Sequence, residues 1–212
     1  MRFANRKQAG RLLADRLQHY MGQAAVVVGL PRGGVVVASE IARQLQLPLQ
    51  ILCPKKLGAP TNQELALGAV TETGDYFLNE DLIRQLGVSL QEVEKELQQA
   101  KEAAKKRFFS LKKELPPRDF NNKLVILVDD GLATGATMKA SIKTARREKA
   151  QKVVVAVPVA SIEAYWQVKA LVDEVICLHI PPFFGAVGEF YQDFAQVEEQ
   201  EVLELLQARK KE

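Results

Sequence analysis

Two short, unbroken apolar runs, Ala25 to Leu30 and Leu124 to Val128, constrain this chain most, because each ends in a glycine-bearing turn that opens a helical pattern. A strand with one buried face alternates apolar and polar residues. A run without alternation is covered on both faces, the mark of a parallel sheet flanked by helices. The segments that follow repeat the theme. After the first run come a helix from about Val35 to Leu45, ended by Pro48, and a strand from Leu49 to Cys53. After the second come a helix to about Lys149, a strand from Lys152 to Val157, a helix from Ile162 to Leu171 and a strand from Glu174 to Leu178. Strand and helix in alternation predict an α/β fold, a doubly wound parallel sheet with helices on both faces. A leading helix is expected from Asn5 as N-cap, with Gln8 three residues on and an apolar face of Ala9, Leu12, Leu13, Leu17 and Tyr20.

The stretch between the two series is too long for a bare loop and must carry structure of its own. Leu65 to Thr71 and Tyr76 to Leu78 flank Glu72-Thr73-Gly74-Asp75, which reads as a hairpin. A short helix ends at Gly87, and Ser89 with Glu92 forms a capping box. Behind that box Leu90, Val93, Leu97, Ala100, Ala104, Phe108, Leu111 and Leu115 recur at helical spacing until Pro116-Pro117. So long an apolar stripe has to be covered by the core or by a second subunit, and a homodimer is expected. The basic residues on the same helix, Lys101, Lys105, Lys106, Arg107, Lys112 and Lys113, read as a solvated face, with a lid over bound phosphates as the sharper alternative.

With 29 basic against 26 acidic residues in a chain of 212, the charge is too nearly balanced to mark a nucleic-acid partner. No apolar run approaches the ~18 residues of a membrane span, and the polar start shows no export signal, so a cytoplasmic protein is expected. Cys53 and Cys177 lack metal-ligand spacing and read as reduced, buried thiols. His19 and His179 are read as surface or packing residues, and Trp166 as packing a helix.

The chemistry concentrates where the second apolar run ends, in Asp129-Asp130-Gly131-Leu132-Ala133-Thr134-Gly135-Ala136-Thr137. Open α/β sheets bind ligands at this end of their strands. Unpaired N–H groups at a helix start, two glycines that let the chain curl, and the Thr134 and Thr137 hydroxyls suit a phosphate dianion. The two carboxylates would repel that phosphate, so they are assigned to sugar hydroxyls or to waters of a bound magnesium ion. Phosphate plus diol points to a ribose phosphate. No Lys-Ser/Thr pair follows the glycines, which excludes a Walker A loop. A second loop, Gly29-Leu30-Pro31-Arg32-Gly33-Gly34, follows the first apolar run, with Gly33 and Gly34 permitting close approach to an anion and Arg32 offering a planar charged fork. Lys55 and Lys56, just past the next strand, add a third anion contact on the same rim.

Together these segments resemble the type I phosphoribosyltransferases, and within them a bacterial group whose substrate is unassigned, over Ala25 to about Glu201. The resemblance implies one domain, 1–212, with an insertion at about 58–120 in the place of the family's mobile loop and a C-terminal hood at about 179–196. It implies a Mg²⁺-dependent transfer of the 5-phosphoribosyl group from phosphoribosyl pyrophosphate (PRPP) to a nitrogenous base or related amine, with pyrophosphate leaving. The roles it implies are these: Asp129, Asp130 and Arg32 catalytic, the two acids also holding the metal through water; Gly131, Ala133, Thr134, Gly135, Ala136 and Thr137 around the 5'-phosphate; Arg32, Gly33, Gly34 and Lys56 around pyrophosphate. Ala133 stands where the hypoxanthine-guanine enzymes have an Asp, so their acid-base device at the purine is missing. In the hood, Phe183, Phe184 and Tyr191 are the candidates for stacking on a heterocycle. The alternative is a PRPP-sensing module on the same fold that turns nothing over.

Overall fold

The computed structural model describes residues 1–60 and 62–210. Asn5 caps α1 (Arg6–Arg16), its side chain accepting the Gln8 N–H at 2.9 Å. The two apolar runs become β1 (Ala25–Gly29) and β6 (Leu124–Val128), and between them come α2 (Gly33–Leu45), β2 (Leu49–Ile51), β3 (Lys55–Ala59), β4 (Asn62–Val70), β5 (Tyr76–Leu78), α3 (Glu80–Gln85) and α4 (Leu90–Leu111). After β6 follow α5 (Ala136–Arg147), β7 (Lys152–Val159), α6 (Ile162–Lys169), β8 (Glu174–His179) and α7 (Glu199–Lys210). Five strands form one parallel sheet in the order β2-β1-β6-β7-β8. Side chains of successive residues leave a strand on opposite faces, and the core divides accordingly. Val27, Ile126, Val128 and Val154 pack with Leu13, Ile41 and Val202 of α1, α2 and α7, whereas Val26, Val125, Leu127 and Val155 pack with Met138, Ile142 and Val168 of α5 and α6. Both faces are therefore covered, as expected of a doubly wound sheet.

The long insertion holds more than the hairpin read from sequence. Lys55 to Ala59 forms a further strand, so β3, β4 and β5 make a separate antiparallel sheet. Its two lysines are exposed and its other half contains Gly58, which masks the apolar alternation that would have marked it. Leu57, Leu67 and Val70 of this sheet pack against Val93 and Ala100 of α4, and Ala69 and Phe77 pack against Ala136 and Ala140 of α5. The apolar stripe of α4 is thus largely covered within the chain, which removes the reason to invoke a second subunit for it. Its first member departs from the reading: Leu90 is 84% exposed, because it occupies the first turn, beyond the reach of the small sheet. Trp166 also departs, being 57% exposed beside Tyr165 and Lys169.

Polar groups hold the insertion to the body. The Asp75 carboxylate accepts hydrogen bonds from Thr144 at 2.8 Å and from Arg147 at 2.9 Å, both on α5. Arg118, largely buried, pairs with Glu72 on one side and with Glu148 at 2.8 Å on the other, and Glu72 also accepts the Cys53 N–H at 2.8 Å.

Candidate active site

Because β1 and β6 are adjacent and parallel, their carboxyl ends bring both glycine-rich loops to one rim. A cleft of about 330 Å³ opens there, lined by Pro31, Arg32, Gly33, Pro54, Lys55, Lys56, Arg107, the segment 129–135, Thr137 and Val187. Of the residues singled out in the sequence, Arg32, Gly33, Lys56, Asp129, Asp130, Gly131, Ala133, Thr134, Gly135 and Thr137 line this one cleft. Gly34 and Ala136 stand behind its wall.

Gly135 ends the second loop in a left-handed conformation, φ 71°, and caps α5 without a side-chain bond, a conformation that favours glycine. Among the described residues the N–H groups of Ala133, Thr134 and Gly135 find no acceptor, whereas Leu132 N–H is bonded to Val159 O and Ala136 N–H to Thr134 Oγ1. Unbonded donors at a helix start, pointed into a cleft, make an anion cradle. The first loop needs its glycines for a reason beside the one the sequence suggested. A Cβ on Gly33 would stand 2.0 Å from Asp130 Oδ2, and one on Gly34 would stand 2.8 Å from Val128 O and 2.9 Å from Asp129 Oδ1. They let the two loops touch each other. The peptide between Pro31 and Arg32 is cis.

The adjacent acids have unlike surroundings. Asp130 is bonded to Arg6 Nε at 2.7 Å, and Arg6 in turn donates to Ala195 O and lies 3.7 Å from the centre of the Phe194 ring. Among the described residues Asp129 accepts only the Asp130 N–H, at 2.9 Å; burial, and then the charge of Asp130, push its carboxyl well above the ordinary range. Asp129 is thus the acid of the two that forms no direct ion pair among the described residues, Lys56 and Arg6 acting on it from farther away. Two carboxylates that line the cleft beside the helix-start N–H groups have the hard oxygen donors that suit a magnesium ion keeping part of its water shell. Cationic side chains surround this pair: Lys55, Lys56, Arg107 and Arg32, the last 3.8 Å from Glu198.

The hood assignments need correction. Tyr191 is 1% exposed, its ring packed between Phe3 and Phe194 and its hydroxyl donating to Asp130 O at 2.7 Å, so it offers no free face to a heterocycle. Burial drives its hydroxyl pKa far upward. Phe183 is 89% exposed and Phe184 stacks on Phe190, and neither lines the cleft. The hood reaches the cleft through Val187, which fills the space a side chain on Gly131 would need. One contributor, Arg6, was not recognised in the sequence, and another, Arg107, was read there as part of a solvated face with a lid over phosphates as the alternative. Arg6 lies far from Asp130 along the chain, and no local pattern links them. Arg107 did leave a signal: it is three residues after Ala104 and four before Leu111, on the packed face of α4 rather than with the outward lysines.

A doubly wound sheet with a glycine-rich loop, an acid pair and a facing basic loop at its carboxyl rim defines the class, an α/β protein with a cleft at the end of its sheet where such folds bind ligands. The chain belongs to the phosphoribosyl transferase domain family, whose model matches residues 4–195. It is 41% identical over 207 residues to relatives from two strains of Mycobacterium tuberculosis, provisionally named phosphoribosyl transferases, and the match spans 96% of this chain but only 46% of theirs. The crystal structure of TT1426 from Thermus thermophilus is similar throughout, with 43% identity, 98% of this chain and 99% of that chain covered, and a TM-score of 0.81. The AQ2163 protein of Aquifex aeolicus shares the fold at 12% identity, with 82% and 74% covered and a TM-score of 0.52. No helix among the described residues is long and apolar enough to cross a membrane.

Proposed function

We propose that this chain is a single-domain, Mg²⁺-dependent phosphoribosyltransferase, acting in the cytoplasm, that binds PRPP and passes its 5-phosphoribosyl group to a nitrogenous base or related amine. The observation that carries this is the meeting of two loops from adjacent strands across one cleft, one a cradle of free N–H groups and one bearing Arg32, with the acid pair between them. The cradle of 131–137 takes the 5'-phosphate. Asp129 and Asp130 accept hydrogen bonds from the ribose hydroxyls. Arg32, Lys55, Lys56 and Arg107 surround the pyrophosphate.

In the reaction the C1–O bond breaks, the electron pair leaves with pyrophosphate, and the acceptor nitrogen forms the new bond to C1 while losing its proton to water. Positive charge grows on the sugar and negative charge on the leaving group, so the cations that face the leaving oxygens do most for the rate. Bound magnesium would neutralise part of the pyrophosphate charge, its hydrated shell held by Asp129 and Asp130. Arg6, by pairing with Asp130 and packing on Phe194, sets the carboxylate's position and ties it to the hood.

Calorimetric titration of PRPP with Mg²⁺, followed by a pyrophosphate-release screen across nucleobases and simple amines, tests the reading. Binding is expected to fall at least tenfold in Arg32→Ala and in Asp130→Asn, since each removes a charge-assisted contact worth roughly 1.5–3 kcal/mol. Tight binding without release for any acceptor would replace catalysis with a PRPP-sensing role, and no binding would refute both.

A further inference from the structure

A second groove, of about 740 Å³, runs between β5 and α5 and shares no lining residue with the cleft described above. That volume is in the range of small-molecule sites, roughly 300–1,000 Å³. One side is apolar and open, with Tyr76 45% and Leu171 46% exposed beside Leu78 and Ile142. The other side carries Lys139, Lys143 and Arg146, whose spacing puts them in one row along α5.

Lys139 is the unusual member. It is 6% exposed, yet among the described residues it forms no ion pair; its ammonium donates to the neutral Gln167 side chain and lies 4.3 Å from the centre of the Phe77 ring. An ammonium removed from water is costly, and here the loss is offset only through Gln167 and, behind it, the Glu163 carboxylate that Gln167 bonds at 3.1 Å; an anion in the groove would add a direct counter-charge. Burial lowers the Lys139 pKa, and the charge of Glu163 opposes that shift only in part. Arg146 is already bonded to Asp173 at 2.8 Å and Glu80 stands at the lip, so the cations open to a ligand are Lys139 and Lys143. The Lys143 ammonium lies 5.7 Å from the centre of the Tyr76 ring, which sets a flat aromatic face beside the anion position.

We propose that this groove is a second ligand site for a phosphorylated planar heterocycle of the nucleotide class, its ring on Tyr76 and its phosphate between Lys139 and Lys143. The proposal is independent of what the cleft binds. It has a mechanical consequence, because the Lys139 backbone N–H is bonded to Gly135 O at 2.9 Å, and Gly135 belongs to the anion cradle. A ligand that holds Lys139 steadies the first turn of α5 and the cradle, so the two sites influence each other's affinity, reciprocally.

The test is calorimetric titration of AMP and UMP into an Arg32→Ala/Asp130→Asn double variant, in which the cleft is disabled. One-to-one binding is expected to persist there, to weaken about tenfold on adding Lys143→Gln, and to weaken about 5–10-fold on adding Tyr76→Ala. Lys143 is exposed, so its change leaves the core intact; Lys139→Met is the stronger but more disruptive variant. Inorganic phosphate and adenosine alone are expected to bind at least ~10-fold more weakly than AMP. Absence of AMP and UMP binding in the double variant, indifference to both Lys143→Gln and Tyr76→Ala, or phosphate binding as tightly as AMP would each overturn the proposal.

Discussion

The two halves of the cleft are built on opposite principles. The half formed by β1, β6 and their loops rests on apolar strands buried without exception, and it lines the cleft with loop main chain and with the Arg32, Asp129 and Asp130 side chains. The half formed by β3 and α4 contributes charged side chains, Lys55, Lys56 and Arg107, from an insertion held to the body partly through buried and half-buried ion pairs. Main-chain donors stay where the fold puts them, whereas side-chain cations are only as well placed as the small sheet and helix beneath them. In the proposed function the core thereby supplies the loop main chain and Arg32, and an appendage whose attachment can be loosened separately supplies the other cations of the cleft.

The largest expected effect strikes that attachment. Arg118→Met leaves Glu72 and Glu148 without their shared cation, and Glu72 is the more deeply buried of the two. Breaking a buried pair from one side costs about 3–5 kcal/mol, so chemical denaturation should show a loss of that size. A loss under ~1 kcal/mol would mean that apolar packing alone holds the insertion.

Gly34→Ala probes the other half. Its new methyl meets Val128 O and Asp129 at under about 3 Å, and the backbone must yield, at about 1–3 kcal/mol. The comparison predicts that ligand binding falls more than stability does, because the two loops are pushed apart; unchanged binding would show that their contact is dispensable.

Asp75→Asn tests the latch to α5. Burial opposes ionisation of this carboxyl, but the bonds from Arg147, Thr73 and Thr144 prevail and hold its pKa below the ordinary range. A lowered folded-state pKa gives stability that is complete above the unfolded value of about 3.9 and is lost as pH falls through the folded one. The variant should therefore be less stable than the parent at neutral pH, by roughly 1–2 kcal/mol, with the difference shrinking below pH ~4. A difference that persisted into strong acid would count against the latch.

The smallest effect is expected at Leu90, whose exposure places it outside the packed stripe. Leu90→Lys should change stability by less than ~0.5 kcal/mol. It should also leave the sedimentation behaviour as it was, whereas a shift toward a smaller species would restore the idea that this helix end meets a second copy.

How much of this was legible in the sequence follows the same division. The parallel sheet could be read because a strand buried on both faces has no polar alternation, and Ala25 to Leu30 and Leu124 to Val128 show none. The helix starts at Asn5 and Ser89 could be read because capping is local, set by residues three positions apart. The glycine-rich turn that opens α5 was legible for the same reason, since glycines at a helix start act through their own backbone. The strand Lys55–Ala59 was hidden, its exposed lysines and Gly58 carrying no periodic signal. The partner of Asp130 was beyond sequence altogether. Arg6 reaches it only because α1 packs across the sheet, and the hood's Phe194 closes over the pair. Tyr191 shows the limit most plainly: an aromatic residue in a Pro/Gly-broken tail is equally suited to stack on a ligand or to seal a core. Its burial against Phe3, through a bridge between the two ends of the chain, decides for the core. Sequence by itself determined the elements and the local chemistry, because both depend on near neighbours. Which charges meet, and which aromatic rings remain open, was decided by long-range packing alone.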